Sequence, residues 1–214
     1  MKRNILCFCM SIGYFALVQS QSNGVHLNFN FGTRVLGSVS DSSTLGAGLH
    51  LDGGIGFELN PCYDIRLDGG IDTYTSKNFL GNIDRSYGIR ATLQGVVNLS
   101  ELGGFSTQTY RLKFHGGVGF YALSNPSFKQ TFQANTGSFD DPLIKGNDEM
   151  IHFIFGLSPQ YCVSERCYIN TDLSLLILAE QNHYVDRAFN DSPAKSLGSI
   201  VNASLGITYY FKGK

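Results

Sequence analysis

From Val25 to Phe211 the apolar residues of this chain recur at every second position, in eight stretches. The first sets Val25, Leu27, Phe29 and Phe31 on one face and His26, Asn28 and Asn30 on the other. The second places Leu45, Ala47, Leu49, Leu51, Ile55, Phe57 and Leu59 against His50, Asp52 and Glu58, and the third Ile65, Leu67 and Ile71 against Asp64, Arg66, Asp68 and Asp72. Side chains alternate between faces along an extended chain, so this period of two predicts half-apolar strands rather than helices. The fourth stretch runs from Tyr87 to Leu99 and the fifth from Arg111 to Phe120; the sixth to eighth start at Ile151, Ile169 and Leu197. Val96, Ile154, Leu176 and Leu178 fall on the polar parity, and Ser174–Ala179 in isolation would pass for a helix.

These stretches are long beside the usual globular strand of about 5–6 residues. A tilted strand that crosses a bilayer needs ~9–11 residues in the hydrocarbon alone. The connections also differ in length. Gly37–Thr44, Thr75–Asp84, Asn125–Asn147 and Asn182–Ser196 are long, Asn60–Tyr63 and Ser164–Cys167 are tight, and Ser100–Thr109 is intermediate. Long loops at one end and short turns at the other belong to outer-membrane barrels. The expected fold is therefore all-β: an eight-stranded antiparallel up-and-down transmembrane β-barrel.

A soluble exported barrel would alternate too, with its apolar face inward around an apolar ligand. Three features favour the membrane form. Glycines crowd the polar face at positions 54, 56, 70, 117, 119 and 156, where a small barrel interior needs small residues. Aromatic residues stand near strand ends on the apolar face, at Phe57, Tyr87, Phe120, Tyr161, Tyr209 and Phe211, as in interfacial girdles. The last stretch, Leu205–Phe211, is itself amphipathic.

Composition narrows the class further. Only 15% of the 214 residues are charged, against 43% hydrophobic. That balance excludes a disordered chain. A net charge of -1 and a pI near 6.5 give no electrostatic footprint for nucleic acid. At the N-terminus, Lys2 and Arg3 precede an apolar stretch from Ile5 to Val18, and the small Val18 and Ser20 follow. This is the layout of a secretory signal peptide. Residues 1–20 are expected to be that signal and residues 21–214 the barrel domain. Cys62, Cys162 and Cys167 then face an oxidising compartment, where disulfides form. Cys162 and Cys167 flank a tight turn, and facing hairpin positions lie within disulfide reach. A Cys162–Cys167 bridge with Cys62 free is the expectation, against three free thiols.

Several runs carry a family likeness. They are Gly95-Val-Val-Asn-Leu, His115-Gly-Gly-Val-Gly-Phe120, Gly156-Leu-Ser-Pro-Gln-Tyr161, Asp172-Leu-Ser174 with Gln181 downstream, and Asn202-Ala-Ser-Leu-Gly-Ile-Thr-Tyr-Tyr-Phe211. In their order and spacing they resemble the OmpA-like eight-stranded outer-membrane β-barrels of Gram-negative bacteria. The likeness spans about Val25 to Phe211. It implies an outer-membrane location, insertion by the barrel-assembly machinery, contact with outer-membrane lipid and a monomeric barrel. It covers the barrel alone, so the peptidoglycan-binding activity of a following domain is not carried over. The family's assembly signal resembles the last strand, with Gly206, Tyr209 and Phe211 at matching positions. Here Lys212-Gly213-Lys214 follow the final aromatic residue, a small departure.

Charges of both signs lie on the polar face, at Asp52, Asp68, Asp72, Arg66, Arg90, Arg111, Lys113 and Asp172. In a narrow lumen they must pair or be hydrated. They form either a salt-bridge network that fills the barrel or a gated ion path; individual pairings do not follow from sequence. The five histidines stand singly, without metal-ligand spacing. There is no P-loop and no GxSxG elbow, and Gly117-Val118-Gly119 lies inside a strand rather than before a helix. No cofactor is expected. His183 with Ser192 is the one pair that invites an enzymatic reading, and it lacks a base–orienter constellation. The sequence thus predicts a non-enzymatic outer-membrane barrel with a structural or surface-interaction role and a largely filled lumen. A small-solute or ion pore and a soluble ligand-binding barrel are the rivals. No surface ligand is indicated.

Overall fold

The computed structural model describes residues 24–38, 46–77, 83–105, 107, 109–124, 147–181 and 196–211. The expected signal peptide, residues 1–20, and most of the four long connections lie outside these residues, as do His183 and Ser192. Eight strands follow one another: β1 (Val25–Ser38), β2 (Gly46–Asn60), β3 (Tyr63–Lys77), β4 (Ile83–Asn98), β5 (Tyr110–Ser124), β6 (Asn147–Ser164), β7 (Cys167–Gln181) and β8 (Ser196–Tyr210). A helical turn, α1 (Leu99–Leu102), sits between β4 and β5. Each strand pairs antiparallel with the next, and β8 returns to β1 from His26↔Tyr210 to Ser38↔Gly198. The sheet closes on itself, so no edge is left to satisfy.

Local chemistry sets the short turns. At the β2–β3 turn the Asn60 side-chain oxygen accepts from the backbone N–H of Cys62 (2.9 Å) and of Tyr63 (3.0 Å). An asparagine that bonds its own downstream backbone mimics a turn and fixes it. At the end of β4, Asn98 caps α1 by accepting from Glu101 N–H. The chain leaves α1 through Gly104 at φ 69°, a left-handed conformation that favours glycine. Along β5, Leu112 N–H finds its acceptor in Ser100 Oγ at 2.7 Å, so the helical turn takes the place of further β4 backbone.

β7 is strand throughout, including Ser174–Ala179, because its backbone is paired on both sides: Leu176 opposes Ile154 of β6 and Ile200 of β8. The helix-like local pattern arises from apolar residues on the inward face, not from a helical period.

The expected Cys162–Cys167 bridge is not formed; all three described cysteines are free thiols. The reason is register. Cys162 opposes the inward-facing, buried Tyr168, and an irregularity between Cys162 and Ser164 shifts the ladder so that Cys167 opposes Ser164. On its other side Cys167 pairs with the outward-facing Tyr209. The two cysteines therefore belong to opposite faces of the hairpin, and side chains on opposite faces do not meet.

Candidate functional site

The lumen gathers the polar side chains of the chain. Its middle holds a cluster from four strands. Arg34 of β1 donates through Nη1 to Asp72 Oδ2 of β3 at 2.7 Å, and both side chains are wholly buried. His50 of β2 lies between two carboxylates, with Nδ1 2.8 Å from Asp72 Oδ1 and Nε2 3.0 Å from Asp52 Oδ2. Asp52 also accepts from Arg90 of β4 and from Asn30 Nδ2 at 2.7 Å. Next to this cluster, Asp68 collects Arg66 Nε (2.7 Å), Asn28 Nδ2 (3.0 Å) and Gln94 Nε2 (2.5 Å). His115 of β5 reaches Asp172 of β7 at 2.8 Å, and Asn202 donates to the other oxygen of Asp172.

The layer nearest the short turns is built on Lys113 of β5. Its ammonium donates to Asp64 Oδ2 of β3 at 2.6 Å and to the Tyr210 hydroxyl of β8 at 3.2 Å, which spans the bore. Arg111 behaves differently from the other cations. Among the described residues it has no carboxylate partner, and its guanidinium lies over the Tyr168 ring at 4.5 Å from the centroid. Tyr168 in turn meets Tyr210 edge-on at 5.4 Å.

Toward the long connections the lumen turns apolar. Leu176 and Leu178 of β7, Ile200 of β8, and Ile154 and Met150 of β6 all point inward with at most 2% of their surface exposed. Leu123 joins them, and the Tyr74 and Tyr121 hydroxyls bond each other at 2.9 Å across β4. Ile154, Leu176 and Leu178 are three of the residues that break the alternation in the sequence; inside the barrel they form a septum. Val96, the fourth, is also buried, opposite His115.

Of the eight charges expected in the lumen, the structure joins Asp52, Asp72 and Arg90 in one cluster and Arg66 with Asp68. It pairs Lys113 with Asp64 and Asp172 with His115. Arg34, His50 and His115 carry pairings that the sequence reading left out. Their signal was parity: Arg34 continues the inward series His26, Asn28, Asn30, and His50 shares a face with Asp52 two residues on. Chemically this arrangement binds strand to strand. No group of three or more His, Cys, Asp or Glu among the described residues could hold a metal ion.

The outer wall has the opposite character. Phe29, Phe31, Ile71, Ile89, Leu93, Phe120 and Leu205 each expose more than half of their surface, up to 74% at Phe120. At the short-turn end Tyr63, Tyr110, Tyr161, Tyr209 and Phe211 point outward. An apolar belt of this extent far exceeds the few-hundred-Å² patches that soluble monomers show in water. A soluble barrel closed around an apolar ligand would have these faces exchanged.

Neisserial surface protein A has a similar structure: 11% sequence identity and a TM-score of 0.54, over 87% of this chain and 97% of that one. The chain has the fold of the eight-stranded outer-membrane β-barrels. The outer-membrane protein OprG from Pseudomonas aeruginosa is similar too, at 10% identity and a TM-score of 0.53 over 91% of this chain and 99% of that one. No family model and no curated protein matches the sequence. In this barrel the three positions of the resembled assembly signal lie on β8 and just past it. Gly206 faces inward against Asn30 and Asn170, while Tyr209 and Phe211 point outward with their rings edge-on at 5.8 Å.

Proposed function

We propose that the protein is an integral outer-membrane barrel that does not conduct, with a structural or surface-interaction role. On this reading the four long connections are its contact elements. It is exported by the residue 1–20 signal, inserted by the barrel-assembly machinery and monomeric in the membrane of a Gram-negative cell. The observation that carries the reading is the filling of the lumen in two layers. The charges are paired across strands rather than set out as a ring of one sign, which is what an ion-selective filter needs. The apolar septum adds a second barrier in series, since an apolar constriction excludes water and ions.

Planar-bilayer recording on the purified full chain tests the closed lumen. The expected result is a silent bilayer; steady, reproducible unit conductance would overturn the reading in favour of the small-solute or ion pore. Fractionation tests the location. The protein should sediment with outer membranes, resist a carbonate wash and change gel mobility on boiling, and recovery in the soluble periplasm would refute it. Protease on intact cells should cut Asn125–Asn147 while a tag inserted at Asn60–Tyr63 stays hidden.

A further inference from the structure

We infer that the turn between β4 and β5 is a membrane-interface anchor, which seats Leu102 and Phe105 in the headgroup–acyl boundary of the leaflet at the short-turn end. The inference rests on the membrane reading above. Its first ground is exposure: Leu102 and Phe105 leave 59% and 54% of their surface uncovered, although neither belongs to the lipid-facing face of a strand. The second is rigidity. Asn98 caps the start of α1, and three backbone bonds close its end: Gly103 N–H to Leu99 O (2.9 Å), Gly104 N–H to Glu101 O (3.2 Å) and Phe105 N–H to Ser100 O (3.0 Å). The two apolar side chains are thus held out by a fixed scaffold at no further ordering cost.

The third ground is height, and it decides the occupant. α1 runs beside the first residues of β5, because Ser100 Oγ accepts from Leu112 N–H at 2.7 Å, and the chain then enters β5 where Thr107 Oγ1 accepts from Tyr110 N–H at 2.9 Å. Tyr110 pairs directly with Tyr161, and both point outward in the aromatic belt at the short-turn end. Leu102 and Phe105 therefore continue an apolar surface that already faces lipid. Aromatic side chains concentrate at that boundary, and the apolar face of a short amphipathic segment lies in its plane. The partner is the phospholipid surface itself. The tight turns at Asn60–Tyr63 and Ser164–Cys167 leave no room for such an element, so this longer connection is where the barrel can set its depth.

The chain contains no Trp, so a single introduced Trp reports its own surroundings without background. Phe105→Trp, Tyr161→Trp and Glu165→Trp are folded into phosphatidylcholine vesicles with and without bromine on the acyl chains. Phe105→Trp should give blue-shifted emission, lose most of it to the brominated lipid and resist aqueous iodide, as Tyr161→Trp does. Glu165→Trp, at the exposed tip of the β6–β7 turn, should respond to iodide alone. If Tyr161→Trp is quenched by brominated lipid while Phe105→Trp is quenched by iodide, the anchor is refuted and the membrane barrel stands. A Phe105→Trp signal shielded from both quenchers would mean a protein contact instead and would also refute it. If Tyr161→Trp too responds only to iodide, the membrane reading itself falls.

Discussion

The lumen network makes a quantitative claim that a double-mutant cycle on Arg34 and Asp72 can test. Both side chains are fully buried, and the Arg34 guanidinium meets the Asp72 carboxylate at 2.7 Å. With charge centres about 4 Å apart and an effective dielectric of about 20, their attraction is about 4 kcal/mol. Removing one partner of a buried pair strands the other, at a cost of roughly 3–5 kcal/mol. Asp72→Asn leaves Arg34 with the Asn202 side-chain oxygen and the His50 ring, neither of them a carboxylate. Arg34→Met leaves Asp72 with His50 as its remaining ionisable partner in direct contact. Each single change should cost roughly 3–4 kcal/mol. The double change leaves neither charge stranded and should cost about as much as one single change, roughly 3–4 kcal/mol. The coupling energy should therefore be about 3–4 kcal/mol, close to the attraction between the two charges. Urea unfolding from phospholipid vesicles, followed by the mobility of unboiled samples, reads it directly. With a slope of about 1–3 kcal/mol per molar urea, each single variant should lose about one to four molar in midpoint. Additivity of the two single effects within about 0.5 kcal/mol would refute the reasoning. It would mean that lumen water screens each charge separately and that no dry network exists.

Two further outcomes follow from the wall. Gly48 faces the lumen, and a Cβ there would overlap the carbonyl oxygen of Thr73, whereas a Cβ on the outward Gly69 meets nothing closer than Arg90 O at 3.9 Å. Gly48→Ala should cost about 1–3 kcal/mol by overpacking and lower the folded yield, while Gly69→Ala should fold like the parent protein; equal yields would contradict the inward packing. Cys162 and Cys167 should both alkylate in freshly extracted, unreduced protein, and a disulfide-linked Cys162–Cys167 peptide in a non-reducing map would contradict the register described above.

The wall was legible in the sequence because a closed sheet between lipid and a polar bore enforces period two on every strand. Leu27, Phe29 and Phe31 against His26, Asn28 and Asn30 give the facing of β1 without any tertiary knowledge, and the structure keeps that facing. Pairings inside the bore were not legible, for a geometric reason. Arg34 meets Asp72 across the whole width of β2, and Lys113 meets Tyr210 across the lumen. Such partners depend on stagger and on side-chain reach, neither of which a single strand records. The cysteine pairing failed at a smaller scale: the ladder sets Cys162 against Tyr168, one residue away from the register a bridge needs, so Cys167 falls on the other face. A one-residue slip reverses the facing of everything beyond it.

The breaks in the alternation deserve the same physical reading as the alternation itself. An apolar residue on the inward parity of a water-filled pore would lose stability for no return, so Ile154, Leu176 and Leu178 make sense only if the bore is dry at their level. Ile200, Met150 and Leu123 come from neighbouring inward positions to meet them, and the Tyr74–Tyr121 hydroxyl pair satisfies the polar atoms that remain there. Below this level the same bore holds Arg34, Asp72, His50 and Asp52, whose burial is tolerable only because each charge has a partner. The septum lies between that network and the strand ends from which the long connections depart. On the closed-lumen reading proposed above, it keeps water from reaching the ion pairs from that side, and so preserves the low dielectric on which their strength depends. On that reading the two layers support each other: the apolar layer shields the ion pairs, and the ion pairs hold the strands around it.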